Sequence, residues 1–147
     1  MLAKRVRSAT VDRGVQALAD EFREVMSEAG AMVAQQCDSC GSCFFPPLLA
    51  CSQCHADKLS WIDCGPTGTV GTFVTVHART VTSSMSIPKW LADRTPYSSV
   101  YVVPDFAPSI RVPALMEGAH QERLAVGARV RFDLSDPRSP RVHLVEK

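Results

Sequence analysis

The feature that most constrains this chain is a run of cysteines between residues 37 and 54, CDSCGSCFFPPLLACSQC. Cys37 and Cys40 form one C-x-x-C pair, Cys51 and Cys54 form a second, and ten residues separate the two pairs. A C-x-x-C turn directs both sulfurs toward one point, so two such turns can surround a zinc ion with four thiolates at roughly 2.3 Å. Four sulfur ligands leave no open coordination position, and the pattern therefore predicts one structural zinc ion.

Two further cysteines lie close to these pairs. Cys43 extends the first pair to C-x-x-C-x-x-C, so exchange with Cys40 as a ligand stays open. Cys64 ends an alternating run, and we expect it to be a small buried apolar residue. A redox C-x-x-C pair would be expected near a βαβ pattern, and the sequence shows none. The metal is therefore expected to hold the fold, with the function carried elsewhere.

Charge and hydropathy narrow the class of function. The 147 residues carry a formal net charge of +1, which argues against a sequence-independent nucleic-acid binder, since such binding rests on many contacts to phosphates. No apolar run is long enough to span a bilayer. The basic N-terminus is followed by an amphipathic segment, so we expect no secretion signal. Together with thiolate ligands for zinc, this predicts a cytoplasmic protein.

A helical period runs from Thr10 to about Ala29. We expect Ser8 or Thr10 to cap this helix, Gly30 to end it, and residues 1–9 to fray. The apolar stripe of the helix can pack on the chain's own core or face a partner protein, and we expect the partner. The stripe consists of Val15, Leu18, Phe22, Val25 and Met26.

Other apolar side chains are also expected to meet a partner. Phe44 and Phe45 lie in a ribbon loop that is more apolar than a solvated loop should be. Trp90 lies in the long connection 80–97, where its exposure would be costly. The predicted partner contacts are Val15, Leu18, Phe22, Phe44, Phe45 and Trp90.

The sequence predicts β-structure in both the ribbon and the part of the chain that follows it. Residues 31–36 and 58–64 supply the strands of the ribbon, and a turn cluster at 65–68 follows. Five short strand-like runs come next, which fit a small closed barrel of the OB-fold type. These runs are 69–79, 98–103, 109–115, 128–134 and 141–145.

The first barrel run has an internal glycine. Gly71 suggests a bulge there. We expect one face of the run to carry Val70, Thr72, Val74 and Val76, and the other Phe73 and His77.

The predicted fold is mainly β with an N-terminal α-helix, in which a rubredoxin-like zinc ribbon is followed by a five-stranded OB-fold barrel. We expect a tail, helix and first strand over 1–34, the ribbon over 35–65 and the barrel over 66–147. The histidines at 55, 77, 120 and 143 are scattered, and no phosphate loop, nucleophile elbow or H-E-x-x-H motif occurs. We therefore expect no catalytic residues in this chain.

The order of these pieces resembles the acyl-CoA-associated zinc-ribbon/OB-fold family, known as domain of unknown function 35. The resemblance covers about residues 30–147 and rests on a combination of short motifs. These are Cys37-Asp38-Ser39-Cys40-Gly41, Phe45-Pro46-Pro47, Cys51-Ser52-Gln53-Cys54, GPTGTV at 65–70, Pro96-Tyr97 and GARV at 127–130. His55 departs from the pattern, because such ribbons usually place glycine there, and it could compete as the fourth ligand.

The resemblance implies a hetero-oligomer. Members of that family look like zinc-binding scaffold subunits beside thiolase-like or ketosynthase-like enzymes that act on acyl or acyl-CoA substrates. The helix and the chain length most resemble the small subunit of an acetyltransferase that acylates phloroglucinols, which implies acetyl transfer to a phloroglucinol-type polyketide. Should CoA phosphates reach this subunit, charge alone points to Arg79, Lys89, Arg94 and Arg111.

Two alternatives stay open. A single-stranded nucleic-acid-binding zinc-ribbon/OB module would need a basic groove interleaved with exposed aromatic residues. A free-standing acyl-CoA carrier would need no partner protein. We expect neither nucleic acid nor a membrane as a partner.

Overall fold

A computed structural model describes residues 5–8, 14–77, 96–117, 122–136 and 139–145. These residues form one α-helix and nine β-strands. The helix α1 spans Val15–Ala29, and the strands are β1 (Arg5–Ser8), β2 (Val33–Cys37), β3 (Cys43–Phe44), β4 (Leu59–Asp63), β5 (Thr67–Val76), β6 (Tyr97–Pro104), β7 (Val112–Glu117), β8 (Arg129–Asp133) and β9 (Arg141–Leu144).

Helix α1 is bounded by two glycines. Gly30 follows it in the left-handed conformation, with φ 60°, so the predicted end is confirmed. Gly14 occupies the N-cap in an extended conformation, so the predicted cap at Ser8 or Thr10 is wrong. The rest of the predicted first turns, residues 9–13, lies outside the described residues.

Four of the five residues of the apolar stripe of α1 pack on the chain itself, whereas Val15 is exposed. Leu18 is only 6% exposed and shares a core with Val33 and Trp61 of the ribbon strands. The ring of Phe22 lies 5.8 Å from the ring of Phe45 and 5.8 Å from that of Trp61. The structure therefore corrects the expectation that Leu18 and Phe22 face a partner, because the apolar face of the ribbon sheet needs this cover.

A buried polar contact fixes the helix on the sheet. The indole Nε1 of Trp61 donates a hydrogen bond of 3.1 Å to Glu21 Oε1. Both side chains are buried, and a buried indole N–H normally requires such a partner. The contact gives the helix one register on the sheet.

The ribbon sheet has the strand order β1-β4-β2-β3. The expectation that the N-terminus frays is wrong for Arg5–Ser8, which pair antiparallel with β4. An exposed strand edge carries unpaired backbone groups, and β1 satisfies those of β4. Because β4 lies between two strands and under the helix, Leu59, Ser60, Trp61 and Ile62 are all buried, and the expected alternation is absent.

The other five strands close into a barrel in the order β5-β6-β7-β9-β8, with β8 pairing back onto β5. The predicted five-stranded barrel is therefore confirmed. Strands β7 and β9 run parallel, and the other neighbours run antiparallel. The interior is filled mainly by valines, at positions 70, 100, 102, 130 and 142.

Strand β5 contains the predicted bulge. The pairing of β5 with β6 shifts register between Val70 and Thr72. The extra residue reverses the alternation, so Val70 points inside while Val74 is 64% exposed, and Phe73 packs against the interior. The predicted grouping of Val70 with Val74 on one face is therefore wrong.

Ribbon and barrel share one hydrophobic core. Ala107, Ile110 and Val112, which follow β6, pack in the same cluster as the buried residues of α1, β2 and β4. Cys64 is buried in this cluster as expected, and burial raises the pKa of its thiol to about 12. The Phe106 amide also donates to the Cys64 carbonyl at 3.2 Å. The two sheets are thus held together by packing as well as by the chain.

A network of charged and polar side chains links β8 to β5, the two strands whose pairing closes the barrel. Arg129 on β8 donates to both carboxylate oxygens of Asp105, at 2.7 and 2.6 Å, and to the hydroxyls of Thr67 and Thr69 on β5. The hydrogen bond from Arg129 lowers the pKa of Asp105. These contacts of Arg129 connect β5, β8 and the turn after β6.

The structure describes no helix that is both long enough and apolar enough to cross a membrane.

We predict that Gly68→Ala weakens the barrel. An added Cβ at Gly68 would lie 2.6 Å from the Val103 carbonyl oxygen and 2.5 Å from a Val102 methyl carbon, so the backbone of β6 would have to move. Overpacking of this kind should lower the free energy of unfolding by about 2 kcal/mol or more. Thermal and denaturant unfolding of the full chain measure it.

Gly71→Ala is the matched control on the same strand. Its nearest contact would be 3.4 Å, an ordinary van der Waals distance. Its effect should stay below about 1 kcal/mol. Equal destabilisation by both substitutions would contradict the close packing of β5 on β6.

Candidate metal centre

Two turns of the same hydrogen-bonding pattern carry the cysteine pairs. In the first, the Gly41 amide donates to the Cys37 carbonyl at 2.9 Å. In the second, the His55 amide donates to the Cys51 carbonyl at 2.9 Å. Each turn brings the two sulfurs of its pair to the same side, which is how a short C-x-x-C sequence presents two ligands to one ion.

Each turn is followed by a residue in the left-handed conformation. Gly41 has φ 76° and His55 has φ 62°, at equivalent positions. Histidine adopts this conformation more readily than most residues other than glycine, asparagine and aspartate. The departure at His55 is therefore accommodated by the backbone. The imidazole of His55 is outside the cluster of metal-ligating atoms, so it does not compete as a ligand.

The two turns bring the four predicted ligands together. All four sulfurs lie within 4.8 Å of one another, with Cys37 Sγ 3.5 Å from Cys54 Sγ and Cys40 Sγ 3.6 Å from Cys51 Sγ. A tetrahedral zinc ion with four sulfur ligands places its sulfurs about 3.8 Å apart, so the cluster fits zinc. Cys37, Cys40, Cys51 and Cys54 thus form a zinc-ribbon site for one structural ion.

Hydrogen bonds and crowding set the protonation of the sulfurs when no metal is bound. The Ser42 hydroxyl, followed by its amide, lowers the pKa of Cys40 to about 6. For Cys54, the hydrogen bond from the Ala56 amide lowers the pKa. The hydrogen bond between Cys54 and Cys37, the burial of the thiol and the sulfurs of Cys40 and Cys51 outweigh it and raise the pKa to about 12. Zinc must displace the protons of such a cluster, so its affinity should rise with pH.

Cys43 lies apart from this cluster. Its side chain packs against the core beneath α1, and burial raises the pKa of its thiol. Among the residues that the structure describes, the one group of metal-ligating side chains consists of Cys37, Cys40, Cys51 and Cys54. Ligand exchange between Cys43 and Cys40 is therefore not supported.

Contacts around the turns tie the centre to the ribbon sheet. Ser60 on β4 donates a hydrogen bond of 2.6 Å to Asp38, and the Leu48 amide donates one of 2.6 Å to the buried Gln35 Oε1. Leu59 packs directly on Cys37 and Cys51. Sequence reasoning missed these supports, because each one depends on the register of strands that are distant in sequence. For example, Gln36 lies opposite Ser60.

The predicted contact residues fall in different places. Val15 is 74% exposed at the start of α1. Arg111 is exposed and donates from Nη1 to the carbonyls of Pro108 and Ile110. Phe44 and Phe45 are half-buried beside a groove. The remaining predicted contacts, Arg79, Lys89, Trp90 and Arg94, lie outside the described residues.

Comparison with known proteins agrees with this geometry. Residues 29–60 match the family model described as ChsH2, rubredoxin-like zinc ribbon domain. No match was found among curated protein sequences.

Two solved structures share the fold. The Ltp2-ChsH2(DUF35) aldolase is 18% identical with a TM-score of 0.60, covering 85% of this chain and 91% of that chain. A DUF35-family protein of unknown function from Sulfolobus solfataricus is 14% identical with a TM-score of 0.59, covering 86% of this chain and 84% of that chain. Ribbon and barrel therefore occur together, in this arrangement, in proteins of the DUF35 family.

We predict that Cys51→Ser abolishes zinc binding and that Cys43→Ser does not. Cys51 supplies a buried sulfur of the cluster, and three remaining thiolates hold zinc far more weakly than four. Cys43 is the matched control, since it lies in the same ribbon outside the cluster. Zinc per chain, measured by plasma mass spectrometry after gel filtration, should fall close to zero in the first variant and stay near one in the second. Loss of zinc from both variants would contradict the ligand assignment.

Proposed function

We propose that this chain is a non-catalytic, zinc-braced scaffold subunit of a hetero-oligomeric complex. Its partner would be a thiolase-like or ketosynthase-like enzyme that acts on acyl or acyl-CoA substrates. The observation that carries the proposal is the fold similarity, over 85% of the chain, to the Ltp2-ChsH2(DUF35) aldolase. The name of that aldolase joins Ltp2 and the DUF35 part of ChsH2, and we propose the same kind of pairing, between an enzyme and a DUF35-like chain, for this protein.

The metal centre supports a structural role. Four sulfurs saturate a tetrahedral zinc ion, so no coordination position is left for a substrate or a water nucleophile. When bound, the ion contributes folding free energy and fixes the two turns. The chain's own residues would then serve to bind and orient, and the partner would supply the nucleophile.

The outer face of the barrel supports association. Val74 on β5 is 64% exposed and Tyr101 on β6 is 46% exposed, and both lie on the outer side of the same pair of strands. Single exposed apolar residues are normal on a protein surface, whereas neighbouring ones on one face of two paired strands suit a protein interface.

We further propose acetyl transfer to a phloroglucinol-type acceptor as the reaction of the complex. The support is the resemblance of the helix and chain length to the small subunit of such an acetyltransferase. Of the four residues predicted as CoA contacts, Arg111 is the one that the structure describes, and it is exposed and lines a groove with Phe44, Phe45 and Tyr101.

Affinity purification of the tagged full chain from its native host tests the scaffold role. A thiolase-like or ketosynthase-like chain should co-purify in fixed stoichiometry, and the complex should catalyse acyl transfer that neither chain catalyses alone. Acetyl transfer to phloroglucinol acceptors, followed by mass spectrometry, then tests the narrower reaction. A monomer that binds single-stranded oligonucleotides with strong salt dependence would contradict the proposal and favour the nucleic-acid alternative.

A further inference from the structure

A groove lies between the zinc ribbon and the barrel. Its volume is about 510 Å³. One wall carries Phe44, which ends β3, and Phe45. The other carries Tyr101 of β6, Pro113 of β7 and Arg111, which directly precedes β7. We call it the ribbon–barrel groove. Because the ribbon supplies one wall and the barrel side supplies the other, the groove forms only where the two units pack together.

The walls of the groove are held in place by contacts behind them. The Phe45 ring packs edge-on against Phe22 of α1, 5.8 Å away. Phe44 packs on the cluster that contains the zinc ligands Cys37 and Cys51. On the barrel side, Tyr101 and Pro113 are paired across β6 and β7. A groove whose walls are already ordered loses little conformational entropy when it binds a ligand.

The charge of the groove comes from Arg111. Among the described residues that line it, Arg111 is the single charged side chain, and none of them is a carboxylate. Within the described ranges, the hydrogen bonds of Arg111 go to the backbone carbonyls of Pro108 and Ile110, and no carboxylate pairs with it. Its Nε lies beside Gly71, where an added Cβ would come within 3.5 Å. The guanidinium is thus positioned at an apolar groove with hydrogen-bond donors to spare, which complements an anion.

We propose that the ribbon–barrel groove is the docking site for a segment of the catalytic partner, in which an apolar side chain lies between Phe44 and Tyr101 and a neighbouring Asp or Glu pairs with Arg111. This inference rests on the proposed scaffold function. Aromatic residues and arginine are the types that dominate the centres of protein interfaces. The exposed Val74, on the same outer face of the barrel as Tyr101, would extend the contact area beyond the groove.

The test uses the full chain and the thiolase-like or ketosynthase-like partner that co-purifies with it. Arg111→Glu should raise the Kd for that partner at least about tenfold, since it places two negative charges together at the centre of the contact. Tyr101→Ser should raise it by a similar factor. Both residues are exposed, so zinc content and melting temperature should remain those of the wild type.

Two matched controls lie away from the groove. Arg131→Glu makes the same charge reversal on β8, and Val126→Ser removes an apolar side chain that is 69% exposed. Both should leave the Kd within about twofold, as is usual for positions outside the centre of an interface.

Photocrosslinking identifies the occupant directly. The Tyr101→p-benzoylphenylalanine variant should crosslink to one segment of the partner, and that segment should contain Asp or Glu. Reversing that acidic residue to Arg should restore binding to the Arg111→Glu variant.

The possible failures are distinguishable. If the partner co-purifies but binds the Arg111→Glu and Tyr101→Ser variants as tightly as the wild type, the groove assignment is wrong and the scaffold function stands. If no such partner co-purifies, both are wrong. If free CoA prevents the crosslink at Tyr101 by binding Arg111, and the Kd for the partner does not change, the groove is a site for a small anion and the docking proposal is wrong.

Discussion

The rest of this structure depends on four sulfur atoms that must lie within 4.8 Å of one another. Four thiolates cannot share so small a volume without a cation, because each would repel the others. The predicted zinc ion removes that repulsion and joins two turns that are ten residues apart in sequence. Cys37 and Cys51 then become the buried points on which Leu59 and Phe44 pack. From there the order extends along β2 and β4 to Trp61, which anchors the helix through Glu21. We therefore expect the ribbon sheet to depend on the metal centre for its order.

The ribbon sheet in turn determines where the barrel lies. The segment between β6 and β7 and the start of β7 pack in the core that the helix and ribbon share, through Ala107, Ile110 and Val112. This packing explains why Leu18 and Phe22 of the helix stripe are covered: a small metal-bound sheet has too little core of its own, and the helix and the segment after β6 both pack on it. Among the surfaces that the described residues leave exposed, the ribbon–barrel groove is a concave one at the junction, with Arg111 in its lining.

Local patterns predicted a large part of this architecture. The spacing of the cysteines was enough for the metal centre, because ligand geometry is encoded within each turn. Five short strand-like runs with turns between them were enough for the barrel strands. Features that depend on distant pairing were missed. The bulge at Gly71 was predicted, but its reversal of the faces of β5 beyond it was not. Strand β1 was assigned to a frayed tail because four residues carry no periodic signal, and the burial of Leu18 depends on a sheet that forms later in the chain. The groove could not be predicted at all, since residues 44–45 and 101–113 meet only after ribbon and barrel pack.

Hydrogen–deuterium exchange on the full chain, zinc-loaded and after chelation, tests most directly whether the metal organises the ribbon. If it does, removing zinc should raise amide exchange throughout β2 and β4, and the increase should reach α1 and the segment that carries Ala107 and Ile110. The barrel strands β5, β6 and β8 should keep most of their protection, because their core contains no zinc ligand. Exchange that increases only within the two cysteine turns, with α1 and β4 still protected, would show that the ribbon folds without the ion and would contradict the central role of the metal.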